Sequence, residues 1–129
     1  MADTGNGTIL LRNTMAFDRE RANEFKRAIV DAVAFAKAHA PQLMVQVYID
    51  DAKALCTSFQ LYDSSDAILR HWQVSDPYIA DVMKYCVVQS MEVFGSPSQA
   101  VRDGIVGALG AAKVRFTPEL VGFHRMAEA

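Results

Sequence analysis

Basic runs, cysteine pairs and long hydrophobic stretches are all missing from this chain, and each absence removes a class of function. Thirteen Lys+Arg stand against fifteen Asp+Glu in 129 residues, a formal net charge of −2, and no arginine or lysine stripe is present to neutralise phosphates. Nucleic acid is therefore not an expected partner. No apolar run approaches the ~20 residues needed to span a bilayer, and the opening MADTGNGTIL lacks the charged and apolar regions of a secretory signal. A membrane partner is not expected, and a cytoplasmic location is the default expectation. The two cysteines, Cys56 and Cys86, fit no CxxC spacing and read as reduced, buried thiols. His39, His71 and His124 are scattered without HExxH or HxH spacing, so no metal site can be built from sequence proximity. A GxSxG elbow, a P-loop, a Rossmann glycine pattern and a paired-carboxylate motif are also absent. GIVGALG (104–110) ends an alanine-rich helical pattern instead of following a strand, so it is not read as a phosphate loop.

Hydrophobic residues make up 51% of the chain and charged residues 22%, an ordinary globular composition at the length of one compact domain. The first seven residues read as a flexible tail, and 8–126 as a single domain. In TILLRNTMAF, Ile9, Leu11, Met15 and Phe17 alternate with Leu10, Arg12, Thr14 and Ala16, the period of a strand; Asn13 interrupts the apolar face. Asp18 is a candidate N-cap, and Ala22, Phe25, Ile29, Ala32, Val33 and Ala36 then recur at helical spacing until Pro41, predicting a helix over 18–39. QLMVQVYI and ALCTSFQLY, joined by DDAK, predict a β-hairpin. On its less apolar face the reading groups Gln46 and Tyr48 with Ser58, Gln60 and Tyr62.

Asp63, Ser64 and Ser65 offer N-cap oxygens for a short helix over 65–73. Asp76-Pro77 is a cap-then-proline signal, and the apolar spacing beyond it predicts a second helical piece to Gly95. Ser96-Pro97 opens a third piece to about residue 108. KVRFTPELVGFHR (113–125) is then the fourth strand. The order β-α-β-β-α-β predicts an α+β, ferredoxin-like fold with a four-stranded antiparallel sheet and helices on one face. Both sheet faces are rich in apolar residues, so a second copy is expected to cover the outer face as a homodimer.

These features resemble the dimeric α+β barrel superfamily, and within it the antibiotic biosynthesis monooxygenase-like group and its uncharacterised relatives. The resemblance rests on the first strand with its long charged helix, the hairpin QLMVQVYIDDAKALCTSFQLYDS, the SSDAILRHW helix with its histidine, and the closing LVGFHR. It spans about residues 8–125. It implies a homodimer pairing its sheets, a pocket between sheet and helices, and no cofactor. Characterised relatives include oxygenases that act on quinols and polycyclic phenols without a prosthetic group, while others degrade haem or isomerise small molecules. The group's helix histidine falls on His71. The segment GSPSQAVRDGIVGALG (95–110) departs from the better-known oxygenases as an insertion before the last strand.

On a helical wheel with Ala67 at zero, Ile68, His71 and Trp72 fall at about 100°, 40° and 140°, which puts His71 on the apolar side. A cofactor-free oxygenase needs a base to deprotonate an electron-rich phenol and dipoles to hold the resulting anion. His71, Tyr62 and Asn13 are the candidate catalytic set, with His71 as base or anion stabiliser. Trp72, Gln46, Tyr48, Gln60 and Arg12 are the candidate substrate contacts. Each has a plainer alternative: a satisfied core histidine for His71, helix packing for Trp72, an inter-sheet lining for the hairpin residues, and a salt bridge to Asp63 or Glu119 for Arg12. The function expected is a cofactor-independent monooxygenase acting on a small aromatic hydroxylated compound. The competing reading is a non-catalytic ligand-binding dimer.

Overall fold

A computed structural model describes residues 7–125. The expected N-terminal tail, apart from Gly7, lies outside the described residues. Strand β1 (Ile9–Phe17) leads through a 3-10 turn (Arg19–Arg21) into helix α1 (Ala22–His39), and the hairpin β2 (Met44–Asp50) and β3 (Leu55–Tyr62) follows. Asp18 caps the turn by accepting from the Glu20 amide at 2.9 Å. Helix α2 (Ser65–Val82), strand β4 (Cys86–Phe94), helix α3 (Gln99–Leu109) and strand β5 (Val114–Thr117) complete the chain.

The sheet has five strands in the order β2-β3-β1-β4-β5. The first four are antiparallel and have the ferredoxin-like topology, while β5 adds a parallel edge beside β4. The expected four-stranded antiparallel sheet is thus corrected to a mixed sheet of five. The fourth strand lies at 86–94, not at 113–125. Only Val114–Thr117 of the expected closing strand pairs with the sheet, and LVGFHR carries no regular structure.

Two local features account for these differences. Pro77 lies inside a continuous α2 instead of restarting a helix, so the cap-like Asp76-Pro77 is a tolerated interruption that forgoes one backbone bond. In β4, Met15 faces Val88 while Thr14 faces Ser90, which leaves Gln89 as the extra residue of a β-bulge. The bulge changes the parity of the strand. Inward positions become Cys86, Val88, Met91 and Val93, a spacing that imitates a helix. The segment 95–110 therefore follows the completed β-α-β-β-α-β unit and does not interrupt it.

The starts of α2 and α3 are held by hydroxyls. Ser64 caps α2 by accepting from the Ala67 amide at 3.2 Å, and Ser98, not Ser96, caps α3 by accepting from the Val101 amide at 3.3 Å. The Ser98 amide also donates to Ser65 Oγ at 2.8 Å, tying the start of α3 to the start of α2.

Beneath the helices the core divides in two. One cluster gathers Met15, Phe17, Phe25, Cys56, Val82, Cys86 and Val88, and the other Ile9, Leu11, Tyr62, Ile68, Val93, Val101 and Ile105. β1, β3 and α2 contribute to both clusters, and on each of them the change of cluster is marked by polar residues: Asn13 on β1, Ser58 and Gln60 on β3, His71 and Ser75 on α2. Among the described residues no helix covers the outer face. Tyr48 and Val87 are 57% and 60% exposed there, and beyond β5 Leu120, Val121 and Phe123 are 96%, 83% and 82% exposed.

Candidate active site

The polar residues between the two clusters line a cavity of about 120 Å3 bounded by the sheet, α1 and α2 and open on one side. Asn13, Gln42, Ser58, Gln60, His71 and Ser75 supply its polar wall. Its apolar wall comes from Ile29, Ala32 and Val33 on α1 and from Val45 and Val47 on β2, among others. Tyr78, Ile79 and Met83 also line it and are each more than a third exposed, so they form its mouth. Among the described lining residues there is no carboxylate, lysine, arginine or cysteine.

Each polar group has a positional cause. Asn13 faces Ser58 across the β1–β3 ladder, so two polar side chains meet at one level of the sheet. Tyr62, Gln60 and Ser58 are two residues apart on one face of β3. They form a chain in which the Tyr62 hydroxyl donates to Gln60 Oε1 at 2.5 Å and Gln60 Nε2 donates to Ser58 Oγ at 3.4 Å. Burial raises the Tyr62 pKa well above the usual phenol value. Tyr62 thus serves as a neutral donor that fixes Gln60, and its ring centroid lies 6.0 Å from that of His71.

His71 is buried, and desolvation pushes its pKa down from 6.5 to about 4. At neutral pH it is uncharged. Its Nδ1 lies 2.9 Å from Ser75 Oγ, one helical turn on, and 3.2 Å from Gln42 Nε2 in the loop before β2. The Gln42 amide donates to Nδ1, which places the ring proton on Nε2. Two oxygens in this wall, Asn13 Oδ1 and Gln42 Oε1, are buried with no hydrogen-bond partner.

Of the candidate residues, the structure brings His71, Asn13 and Gln60 together in the cavity, with Tyr62 directly behind. Gln46 and Tyr48 do not join them. The hairpin register sets Gln46 opposite Phe59 and Tyr48 opposite Thr57, so odd residues of β2 share a face with even residues of β3. The expected grouping of Gln46 and Tyr48 with Ser58, Gln60 and Tyr62 is corrected accordingly: those two lie on the outer face. Arg12 is also on the outer face, and its ion pair is with Glu92 directly across β4, not with Asp63 or Glu119. Trp72 turns away from the cavity to the α2–α3 contact, where a Cβ added at Gly104 would come within 2.6 Å of its ring.

Gln42 and Ser75 did not emerge from the sequence. Ser75 had an available signal, since it lies four residues beyond His71 on the same helix face. Gln42, one residue past Pro41 in a loop, had none. Cys56 and Cys86 are free and buried. Burial pushes the Cys56 thiol to about 12 and the Cys86 thiol to about 11, values of unreactive thiols. Among the described residues no cluster of His, Cys, Asp or Glu could hold a metal ion, and no helix is long and apolar enough to cross a membrane.

No family model matches the chain, and no curated protein matches it. Solved structures do. MupZ from Pseudomonas fluorescens superposes with a TM-score of 0.73 at 14% identity, covering 93% of this chain and 96% of that one. A putative antibiotic biosynthesis monooxygenase from Caulobacter crescentus CB15 gives 0.61 at 22% identity over 70% of this chain and 90% of its own. SnoaB, a cofactor-independent oxygenase from Streptomyces nogalater, gives 0.59 at 11% identity over 72% and 96%. The chain therefore shares its fold with these structures, as the sequence resemblance implied.

Proposed function

We propose that this chain, which carries the antibiotic biosynthesis monooxygenase-like fold, is a cofactor-independent oxygenase acting on a small aromatic hydroxylated compound bound in the cavity beside His71. The observation that carries the proposal is a neutral, buried imidazole set in the polar strip of an otherwise apolar cavity. Its likeness in fold to a cofactor-independent oxygenase supports the same reading.

The protonation states determine the role of His71. With a conjugate acid near 4, transfer from a phenol of ordinary pKa near 10 to this ring is uphill by roughly 6 units, or about 8 kcal/mol. The Nε2 proton suits the ring better to donating to a phenolate oxygen than to acting as full base. The phenolic proton is released through the mouth to the buffered solution, about 3 units uphill at pH 7, and the electron-rich anion reduces O2. For a benzenediol the balance is one diol plus O2 giving a hydroxyquinone plus water, with the substrate supplying all four electrons. The test is O2 uptake by metal-free protein with a panel of phenols and benzenediols, using 18O2. One labelled oxygen in the product and loss of uptake in His71→Ala support the proposal. Stoichiometric binding without uptake above the protein-free rate overturns it in favour of a ligand-binding protein.

We also propose that two copies pair through the outer sheet face. The support is the set of large apolar side chains left uncovered there and on the segment after β5, Tyr48, Val87, Leu120, Val121 and Phe123. Light scattering at micromolar concentration should return twice the chain mass, and a monodisperse monomer would refute the pairing. A cytoplasmic location belongs to the same proposal and is checked by cell fractionation.

A further inference from the structure

We propose that Tyr78 gates the cavity: its ring, stacked on Phe35, narrows the open side between α1 and α2, and rotation off Phe35 admits a ring-sized ligand. The assignment rests on the cavity being the ligand site of the proposed function and not on the chemistry done there.

Tyr78 belongs to two structures at once. It lines the cavity mouth beside Ile79 and Met83, and its ring lies on that of Phe35 with centroids 4.4 Å apart and planes 21° from parallel. Phe35 stands on α1 and Tyr78 on α2, so the stack spans the opening from helix to helix. His39, one turn beyond Phe35, braces the phenyl ring at 4.8 Å between centroids. Among the described residues no ion pair joins α1 to α2. The closure is therefore an aromatic contact, which opens without separating charges.

The surrounding backbone favours movement of the side chain over movement of the whole helix. Up to Trp72, α2 is fixed by the Ser64 cap, by the Ser98 amide on Ser65 Oγ and by the indole against Gly104. At its far end Val82 is buried in the core. Between these anchors Pro77 removes the amide that would donate to the Gln73 carbonyl, so the turn that carries Tyr78 lacks one backbone bond. Tyr78 is 36% exposed, which leaves solvent for the ring to swing into. His71 and Ser75 precede the proline, so their contact survives the swing. An offset stack favours contact over separated rings by roughly two- to tenfold in population. The mouth is then wide for roughly a tenth to a third of the time. Access is rationed, not prevented.

A cysteine placed in the cavity wall reads the gate without any ligand. Ala36 is buried in that wall on α1, and Ala38 is exposed on the same helix. Ala36→Cys and Ala38→Cys are each treated with 4,4′-dithiodipyridine, which delivers one aromatic ring to a thiol. Peptide mass spectrometry separates their labelling from that of Cys56 and Cys86. Adding Tyr78→Ala should speed labelling at position 36 by about three- to tenfold, the inverse of the open fraction, and leave position 38 unchanged. Adding Tyr78→Phe, which keeps the stack, should leave the slow rate at position 36 as it was. Should Ala36→Cys fail to fold, Ala32→Cys in the same wall takes its place. Equal labelling of the cavity position with and without Tyr78→Ala overturns the gate. So does a rise of the same size at position 38, which marks general loosening, or a rise in Tyr78→Phe as large as in Tyr78→Ala. If labelling follows the gate while no O2 is consumed, only the oxygenase reading fails. If O2 is consumed while labelling ignores residue 78, only the gate fails.

Discussion

His71 and Trp72 are neighbours in sequence on α2, yet they serve opposite sides of the molecule. On the His71 side, α1 and α2 cover the sheet incompletely, and the remaining space is lined by amides, hydroxyls and an imidazole. On the Trp72 side, α3 closes over the sheet, and the indole fills the contact so fully that position 104 has no room for a Cβ. Val101 and Ile105 are buried beneath it. The roughly 100° turn between successive helical residues is enough to separate a binding wall from a packing wall. The difference shows where stability and function should part company: substitutions on the Trp72 side should cost folding, and those on the His71 side should cost ligand.

The largest expected effect is on the closed side. Trp72→Ala empties the α2–α3 contact and should destabilise the protein by about 3 kcal/mol in urea denaturation. A loss below about 1 kcal/mol would show that α3 is only loosely attached. Gly104→Ala forces a methyl against the indole and should cost about 1–3 kcal/mol. Combined with Trp72→Ala, the same change should cost far less, because its clash partner is gone, so a double-mutant cycle should show strong coupling.

On the open side the expected effect is in pH. The pKa of His71 is lowered from 6.5 to about 4 on folding, so the unfolded chain binds the extra proton between these values. Stability is therefore full above pH 6.5 and falls as pH drops towards 4. The open mouth screens the ring, and the contribution is about 2 kcal/mol. His71→Gln should flatten this part of the stability profile, which chemical denaturation from pH 4 to 7.5 would measure. An unchanged profile would mean that the ring is solvated. Asn13→Leu removes an unpaired buried acceptor and should leave stability unchanged or raise it by about 1 kcal/mol while weakening ligand binding. A loss of stability instead would imply that Asn13 is already satisfied by the protein. Smallest of all, Arg12→Ala breaks an exposed ion pair with Glu92 and should change stability by less than about 1 kcal/mol.

The sequence made one half of this arrangement readable. β1, α1 and the hairpin follow clean periods of two or 3.6 with caps and Pro41 as boundaries, and His71 was legible because Ala67 and Ile68 mark its face. β4 was hidden by the single extra residue Gln89, which turns an alternating strand into spacings of two and three. Pro77 added a false helix start. Gln46 and Tyr48 read onto the wrong face because register depends on how the 51–54 turn closes, which alternation within each strand does not determine. Gln42 comes to His71 through the tertiary fold alone.

The most direct test of the whole account compares metal-free O2 uptake on a benzenediol by the unaltered protein, His71→Ala and Trp72→Phe, each shown to be folded. The expected result is uptake lost in His71→Ala and retained in Trp72→Phe. Equal uptake in His71→Ala and the unaltered protein, or selective loss in Trp72→Phe, would contradict it.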